Sequence, residues 1–285
     1  MILVTTAGKV GARTARLLAD SDRQVRVLTR RPDEHKSLAD AGAEVFHGDL
    51  DDPASIAAAV AGVRSVVLVT PANPAQEIAV IGALGGSTAH ITKVTVDASA
   101  DSPIARRRDH YRIEQALTAS GLPHTLLRAN VYMQNFLMLA PLIAATSAFP
   151  SPTGDGRAGM VDARDVAEVA ATIAAAPAEH AGATYRLTGP ESLSYNDVAA
   201  QLSELAGRTI THRHITAQEQ EEAMIRMGLP RPVAHANAQA LALVAEGDAD
   251  WTSTDVERLT GRPATTFAQF AADHIDRFGG AAGRA

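Results

Sequence analysis

The sequence predicts an α/β fold built on a doubly wound parallel sheet, followed by a smaller, mostly helical C-terminal region. Over the first 150 residues, short β-rich segments alternate with helical segments, as strands and crossover helices of a parallel sheet do. The chain also begins with an apolar run that continues through Gly8 and Gly11 into a helical pattern. This is the Rossmann arrangement. We expect a dinucleotide-binding domain over residues 1–150 and a substrate-capping region over residues 151–285, with part of 157–188 packing back on the sheet.

Composition excludes several classes of protein. With 46% hydrophobic residues, the 285-residue chain can bury a large core. A formal net charge of -6 at pH 7 leaves no general attraction for nucleic acid or for an anionic membrane. The chain has no cysteine, which excludes disulfides, thiolate metal sites and thiol nucleophiles. No apolar run has the length of a membrane span and no leader precedes the first strand, so we expect a cytoplasmic protein.

The first turn of the chain is typical of a dinucleotide site. A helix that starts directly after a strand leaves its first N–H groups unpaired and directs the positive end of its dipole at the turn, which suits a pyrophosphate. The predicted cofactor contacts in this turn are Thr6, Gly8, Lys9, Val10 and Gly11. We expect Gly8 to let phosphate approach the backbone and Gly11 to let the helix pack on the strand, with Thr6 in place of the first glycine of the usual pattern. An ordinary strand-to-helix turn is the alternative.

The second strand, over residues 24–29, ends on Arg30 and Arg31. An NAD-binding fold carries an acidic residue here for the ribose hydroxyl, whereas two guanidinium groups suit a 2′-phosphate. Lys9 and Arg13 stand on the first loop and helix. NADP(H) is therefore the predicted cofactor, with Arg30 preferred to Arg31 as the phosphate contact. The alternative is that both arginines only cap a strand in water.

The third strand, over residues 43–47, is followed by Asp49 and Leu50. Ligands of doubly wound sheets lie beyond the carboxyl ends of the strands, so Asp49 is a candidate acceptor for the adenine amino group and Leu50 a cover for its ring. The alternative for Asp49 is a turn residue that bonds its own backbone. Asp52 and Pro53 then predict the start of a helix.

The fourth and fifth strands, over residues 65–69 and 91–98, lead to the nicotinamide end of the predicted site. Thr70 and Pro71 follow the fourth strand and are predicted to border the cofactor near its nicotinamide ribose. The alternative is that the prolines here only make a stiff loop. Ser99 follows the fifth strand and is predicted to lie at the same edge of the sheet.

An unusual group of side chains follows the sixth strand, over residues 124–128, in a chain with only 4% aromatic residues. The predicted substrate pocket consists of Asn130, Tyr132, Met133, Asn135 and Phe136. Packing of the next helix is the alternative interpretation.

Helices with clear starts and one strand, over residues 184–187, dominate the rest of the chain. The starts carry capping pairs: Asp162 with Asp165, Ser194 with Asp197, and Thr216 with Glu219. His212 and His214 stand two apart on a predicted strand, but no third ligand stands at a recognisable spacing, so no metal site is expected.

Several motifs along the chain together indicate a family. They are Ile2-Leu3-Val4-Thr5 with Gly8-x-x-Gly11, Val27-Leu28-Thr29-Arg30, Gly48-Asp49, Ser120-Gly121-Leu122-Pro123-x-Thr125-x-Leu127-Arg128, Tyr132-Met133-x-Asn135, Gly154-Asp155-Gly156 and Val161-Asp162-x-x-Asp165-Val166-Ala167. With them the chain resembles the NmrA-like family of atypical short-chain dehydrogenases/reductases, especially its bacterial branch of type 2 quinone reductases and triphenylmethane reductases. The resemblance covers nearly the whole length.

The resemblance implies an NADP(H)-binding Rossmann fold, with the nicotinamide facing a cleft under the C-terminal region. For the quinone-reducing members it implies hydride transfer to the acceptor. We therefore expect an NADPH-dependent reductase of a flat, conjugated small molecule such as a quinone. The alternative is a regulatory protein that binds NADP(H) without turnover, like the family's namesake. Homodimer formation is left open.

The resemblance also singles out His110. Many short-chain dehydrogenases use a Tyr-x-x-x-Lys pair, and no tyrosine of this chain has a lysine four residues on. Where many relatives hold a lysine before x-x-x-Glu, this chain has His110 with Glu114. A histidine that titrates near neutrality could protonate the reduced acceptor, so His110 and Ser99 are the candidate catalytic residues. The alternative is that His110 only orients the nicotinamide ribose or bonds Glu114.

Overall fold

The computed structural model describes residues 1–280. Strands and helices alternate from the first strand to the sixth. The strands are β1 (Ile2–Val4), β2 (Val25–Thr29), β3 (Glu44–His47), β4 (Ser65–Leu68), β5 (His90–Thr95), β6 (His124–Ala129), β7 (Ala148–Ser151), β8 (Arg157–Ala158), β9 (Thr184–Leu187), β10 (Leu193–Ser194) and β11 (Thr211–His214). The helices are α1 (Lys9–Asp20), α2 (Lys36–Asp40), α3 (Pro53–Val60), α4 (Pro74–Ala83), α5 (Ala105–Ala119), α6 (Asn135–Thr146), α7 (Ala163–Ala175), α8 (Tyr195–Ala206), α9 (Ala217–Arg226), α10 (Arg231–Ala245), α11 (Asp255–Thr260) and α12 (Phe267–Asp273).

Seven strands form one sheet in the order β3-β2-β1-β4-β5-β6-β9. The pairs from β3 through β6 are parallel, and Ile2 of β1 lies opposite Val25 on one side and Ser65 on the other. The order reverses between β1 and β4, which is the point where doubly wound sheets bind ligands. The predicted Rossmann-type sheet is confirmed.

Helices cover the sheet as the strand sequences require. β4 and β5 are buried along their whole length, as strands covered on both faces are. Val66 and Ile91 cluster with Ile81 of α4 and Ile113 of α5. The helices α1 and α7 pack against each other, and α7 also packs on β4 and β5. The site-bearing strand ends are therefore held by a packed core.

The described chain divides into two compact units. Unit 1 consists of Met1–Ala129, Ala163–Arg186 and Arg258–Gly261, and it contains the sheet. Unit 2 consists of Asn130–Asp162, Leu187–Glu257 and the described residues from Arg262 onward. The domain boundary expected at residue 150 falls inside unit 2, and α7 from the segment expected to pack on the sheet belongs to unit 1.

Unit 2 is built on an aromatic core. The ring of Phe136 lies 5.0 Å from that of Tyr195, 5.2 Å from that of Phe267 and 5.8 Å from that of Phe149. The predicted capping boxes at Ser194 and Thr216 are confirmed at the starts of α8 and α9. Within residues 1–280, no helix is both long enough and apolar enough to cross a membrane.

Candidate cofactor and active site

The first turn of α1 is open to an anion. Gly8 is its N-cap, and among the described residues no side chain caps the helix and no acidic residue stands in its first turn. The neighbouring helices differ, because Asp52 caps α3 and Asn73 caps α4. The first N–H groups of α1 are thus available to a phosphate at the point where the strand order reverses.

Gly8 and Gly11 have different surroundings. A Cβ added at Gly11 would lie 1.9 Å from the carbonyl oxygen of Thr6, so only glycine lets α1 approach the loop this closely. A Cβ at Gly8 would meet nothing nearer than Thr6 Oγ1 at 3.9 Å. Gly11 therefore serves helix packing, as expected, whereas the protein itself leaves the space beside Gly8 free.

Two threonines tie the first loop to the end of β4. Thr6 Oγ1 donates to the carbonyl oxygen of Val69 at 2.9 Å, and Thr5 Oγ1 donates to the same oxygen at 3.1 Å. Thr5 Oγ1 also accepts from the Val69 N–H at 2.9 Å. Thr6, which replaces the first glycine of the usual pattern, therefore fixes the loop through its side chain.

Three exposed cations lie close to this turn in the fold. Lys9 and Arg13 stand one turn apart on α1, and Arg30 follows β2, the strand beside β1. In the described part of the chain, none of the three forms an ion pair. Arg31, in contrast, is bound to Glu34, with 2.8 Å between Nη1 and Oε1. Arg30 is therefore the better candidate for a 2′-phosphate, as the sequence predicts.

The residues predicted for the adenine have local roles. Asp49 Oδ1 accepts from the Asp51 N–H at 3.0 Å, which is the turn alternative. Leu50 is 8% exposed and packs in the core cluster with Leu28 and Ile56. Contact of Asp49 and Leu50 with adenine stays a prediction.

A buried polar group lies beneath the loop that follows β4. Lys93 of β5 and Glu77 of α4 are both 0% exposed, with Lys93 Nζ at 2.9 Å from Glu77 Oε1 and 2.7 Å from Oε2. Thr70 Oγ1 donates to Glu77 Oε1 at 2.5 Å. Burial raises the pKa of the Glu77 carboxyl and lowers the pKa of the Lys93 amine.

His110 lies on α5 and is 5% exposed. Within residues 1–280, its Nδ1 atom is buried without a hydrogen-bond partner. Burial lowers the pKa of His110 to about 2, and the charges of Lys93 and Arg106 act in the same direction. The expectation that His110 titrates near neutrality is therefore wrong, because burial removes the water that would stabilise the imidazolium. The group is a neutral imidazole that can still donate or accept a hydrogen bond.

The carboxylate oxygens of Glu114 bind residues other than His110. Its Oε1 accepts from Thr95 Oγ1 at 2.8 Å and its Oε2 from Arg128 Nη2 at 2.9 Å. Arg128 also reaches Asp97, with Nη1 at 3.4 Å from Oδ1. These contacts join the ends of β5 and β6 to α5.

The other residues predicted at the carboxyl edge of the sheet, Ser99 and Pro71, are exposed. Ser99 is exposed, and its Oγ accepts from the Asp101 N–H at 3.2 Å. Pro71 is also exposed in the loop after β4. Within residues 1–280, Ser99 Oγ does not hydrogen-bond to His110 Nδ1, and a catalytic role for Ser99 stays a prediction.

A model of the NmrA-like family matches residues 1–270. The chain belongs to the NmrA-like family. The resemblance predicted from the sequence is thereby confirmed.

Relatives match this NmrA-like chain along most of its length. NAD(P)H azoreductase from Xenophilus azovorans is 34% identical over 286 residues, covering 99% of this chain and 100% of the relative. Quinone oxidoreductase 2 from Escherichia coli (strain K12) is 28% identical over 251 residues, covering 86% and 87%. The structure of an NADPH-dependent quinone oxidoreductase from Escherichia coli complexed with NADPH has a TM-score of 0.86 and 27% identity, covering 96% of this chain and 99% of that one.

The predicted substrate pocket of this NmrA-like protein needs revision. Met133 and Phe136 are each 1% exposed and lie in the core of unit 2, which is the packing alternative. Asn130 Nδ2 donates to the carbonyl oxygen of Ala249 at 3.0 Å. Met133 and Phe136 are held by apolar packing in this core, and Asn130 is held by its hydrogen bond. Tyr132 is half-buried and Asn135 exposed, so they remain the candidates for the acceptor.

The two histidines of β11 have structural partners. His212 Nε2 lies 2.8 Å from Ser151 Oγ and its Nδ1 lies 3.2 Å from Asn196 Oδ1. Among the described residues, no group of three or more histidine and acidic side chains is arranged so that it could hold a metal ion.

The sequence did not identify the buried polar residues Glu77 and Lys93, or the ion-pair role of the half-buried Arg128, at this edge of the sheet. One signal was present, because Lys93 is the single charged residue in the run 91–96 of the predicted fifth strand, and inner strands of a parallel sheet are buried on both faces. A charge in such a strand needs a partner. The spacing of the sequence does not identify that partner, which comes from a helix sixteen residues earlier.

Proposed function

We propose that the protein is an NADPH-dependent reductase that transfers hydride to a flat, conjugated acceptor such as a quinone. The observation that carries the proposal is the uncapped start of α1 beside Lys9, Arg13 and Arg30, three exposed cations without ion pairs in the described chain. An open helix N-terminus suits the pyrophosphate, and a free guanidinium suits a 2′-phosphate. The relatives support the same cofactor and the same class of reaction.

The residues of unit 1 fit NADP(H). The N–H groups of the first turn of α1 would hold the pyrophosphate, and the free space beside Gly8 lets it approach the backbone. Arg30 would hold the 2′-phosphate. The orphaned Nδ1 of His110 fits a ligand hydroxyl as its missing partner, because buried polar atoms in native proteins are almost always hydrogen-bonded. When bound, NADPH supplies the hydride.

The proton need not come from the protein. A neutral imidazole is a poor acid near pH 7, so His110 orients a bound molecule rather than protonating it. A reduced quinone is stable as its anion and can take its proton from water. This chemistry fits a chain in which no Tyr-x-x-x-Lys pair exists.

The acceptor class is tested by following NADPH oxidation with a panel of quinones and azo dyes. We expect oxidation by at least one quinone and none with the Gly8→Val variant, whose side chain fills the space beside the phosphate loop. A protein that binds NADPH but reduces no acceptor would instead be a regulatory dinucleotide-binding protein, and the reductase proposal would fail.

We also propose a cytoplasmic location and treat homodimer formation as a hypothesis. The lack of cysteine fits a reducing compartment, where disulfides do not form. Light scattering on the purified protein with and without NADPH decides the oligomeric state.

A further inference from the structure

The buried pair of Lys93 and Glu77 calls for a role beyond stability. A buried ion pair is often no more stabilising than apolar side chains of the same size, because the desolvation of both charges offsets their attraction. Both side chains are fully buried beneath the edge where the cofactor is expected. Their interactions with neighbouring groups therefore indicate what the pair does.

Thr70, in the loop directly after β4, also binds this pair. Its hydroxyl donates to Glu77 Oε1 at 2.5 Å, the same oxygen that Lys93 Nζ approaches at 2.9 Å. Thr70 is half-buried, unlike the other two. The Thr70 hydroxyl thus connects the loop after β4 to the Glu77 carboxylate, and Lys93 of β5 binds the same carboxylate.

This loop has a backbone that must be held. Ala72 is buried at 9% exposure and has φ of 63°, in the left-handed region that L-residues avoid. The Asn73 N–H lies 3.4 Å from Thr70 Oγ1, and Asn73 caps α4. The hydroxyl of Thr70 therefore contacts both the buried pair, through Glu77, and the strained turn, through the Asn73 N–H.

The same loop adjoins the turn expected to hold the pyrophosphate. The carbonyl oxygen of Val69, one residue before Thr70, accepts from both Thr5 and Thr6 of the first loop. The position of Thr70 is thereby set on one side by the phosphate loop and on the other by Glu77. Because Thr70 is predicted to lie near the nicotinamide ribose, a shift of the loop is expected to affect that half of the cofactor.

We propose that Lys93, Glu77 and Thr70 form a positioning device that fixes the loop Thr70 to Asn73 for the nicotinamide half of the cofactor. The proposal rests on the proposed function, since it requires that NADP(H) binds here. It assigns no contact with the hydride-bearing ring to any of the three residues. Their effect is transmitted through the backbone of the loop.

The test compares Thr70→Val with Thr70→Ser, which removes or keeps the hydroxyl. Dissociation constants are measured by calorimetry for NADPH and for adenosine 2′,5′-bisphosphate, which lacks the nicotinamide half. For Thr70→Val we expect about five- to tenfold weaker binding of NADPH, within the effect of losing one hydrogen bond to a charged group, and unchanged binding of the bisphosphate. Thr70→Ser should bind both as the wild type does. In steady-state assays, Thr70→Val should raise KM for NADPH more than it lowers kcat.

A second variant addresses the buried pair itself. The double variant Glu77→Leu with Lys93→Met replaces it with apolar groups of similar size and should lose NADPH affinity as Thr70→Val does. Adding Thr70→Val to it should cause no further loss, because its partner is already gone. If the double variant does not fold, the two Thr70 variants alone decide.

The outcomes separate the two proposals. A wild-type protein that binds neither molecule overturns the proposed function and this inference with it. If the wild type binds both molecules, three results overturn only the positioning role. In the first, Thr70→Val binds NADPH with wild-type affinity. In the second, its affinity for NADPH and for the bisphosphate falls equally. In the third, Thr70→Ser loses as much NADPH affinity as Thr70→Val does.

Discussion

Arg31 and Glu34 form an ion pair, with 2.8 Å between Arg31 Nη1 and Glu34 Oε1. The pair is exposed, so it contributes little to stability. It nevertheless occupies one of the two guanidinium groups at the end of β2. The neighbouring Arg30 forms no such pair within the described chain, and this difference makes the cofactor preference testable at a single side chain.

We expect the protein to bind NADP at least about tenfold more tightly than NAD, since a charge-assisted contact with the 2′-phosphate exceeds a neutral hydrogen bond. Arg30→Ala should abolish most of this preference, and Arg31→Ala should keep it. Calorimetric titration of both dinucleotides measures the effect. Equal affinity of the wild type for NADP and NAD, or a larger loss in Arg31→Ala, would contradict the assignment.

The two glycines of the first turn should respond differently to substitution. Gly8→Val should lower stability by about 1 kcal/mol through the weaker N-cap and should abolish the increase in Tm caused by NADPH. Gly11→Ala should lower stability by about 1–3 kcal/mol or more even without ligand, because its Cβ would overlap the carbonyl oxygen of Thr6. Thermal unfolding with and without NADPH measures both effects. A Gly8→Val variant that keeps the full ligand-induced shift would show that Gly8 is only a turn residue.

A neutral His110 gives a specific pH dependence. Because burial holds its pKa at about 2, His110 does not change charge between about pH 5 and 8, and kcat should be flat over that range. His110→Ala should lower kcat or NADPH affinity about tenfold by removing a ligand contact, and His110→Asn, which keeps a polar atom near Nδ1, should lose less. A kinetic pKa near 6.5 that disappears in His110→Ala would instead restore the proton-donor role.

Acid should destabilise the protein through His90, at the start of β5. His90 is 4% exposed, and burial together with His124 and His180 lowers its pKa to about 4. The unfolded chain binds this proton at about pH 6.5, so stability is fully present above that pH and falls as the pH drops towards about 4. The loss from this group has an upper limit of about 3 kcal/mol. Urea unfolding of wild type and His90→Gln between these pH values measures it, with exposed His47→Gln as the control. An equal pH dependence of wild type and His90→Gln would contradict the prediction.

Local patterns of the sequence predicted the parts of the structure that depend on nearby residues. The strand–turn–helix around Gly8 and Gly11, the start of α3 at Asp52 and the strand Thr184–Leu187 follow from apolar periodicity and capping, which act within a few residues.

Burial decided the remaining site residues, and burial depends on contacts between distant segments. Phe136 looks the same in the sequence whether it lines a pocket or meets Tyr195 and Phe267 in a core. An exposed histidine has a pKa near neutrality, and only burial in the folded protein lowers the pKa of His110. The partner of Lys93 could not be chosen among the many acidic residues without the fold.

The discontinuity of unit 1 has a consequence for how the protein is made and cut. The strand β9 and the helix α7 follow residues 130–162 in the chain, yet they complete the sheet of unit 1. During synthesis, the sheet therefore cannot be completed until residues 184–187, which form β9, have been made. A fragment that ends at Ala129 would leave β6 as a bare edge, open to pairing with another chain. A cofactor-binding fragment for engineering or crystallisation would have to span this insertion or replace it with a linker.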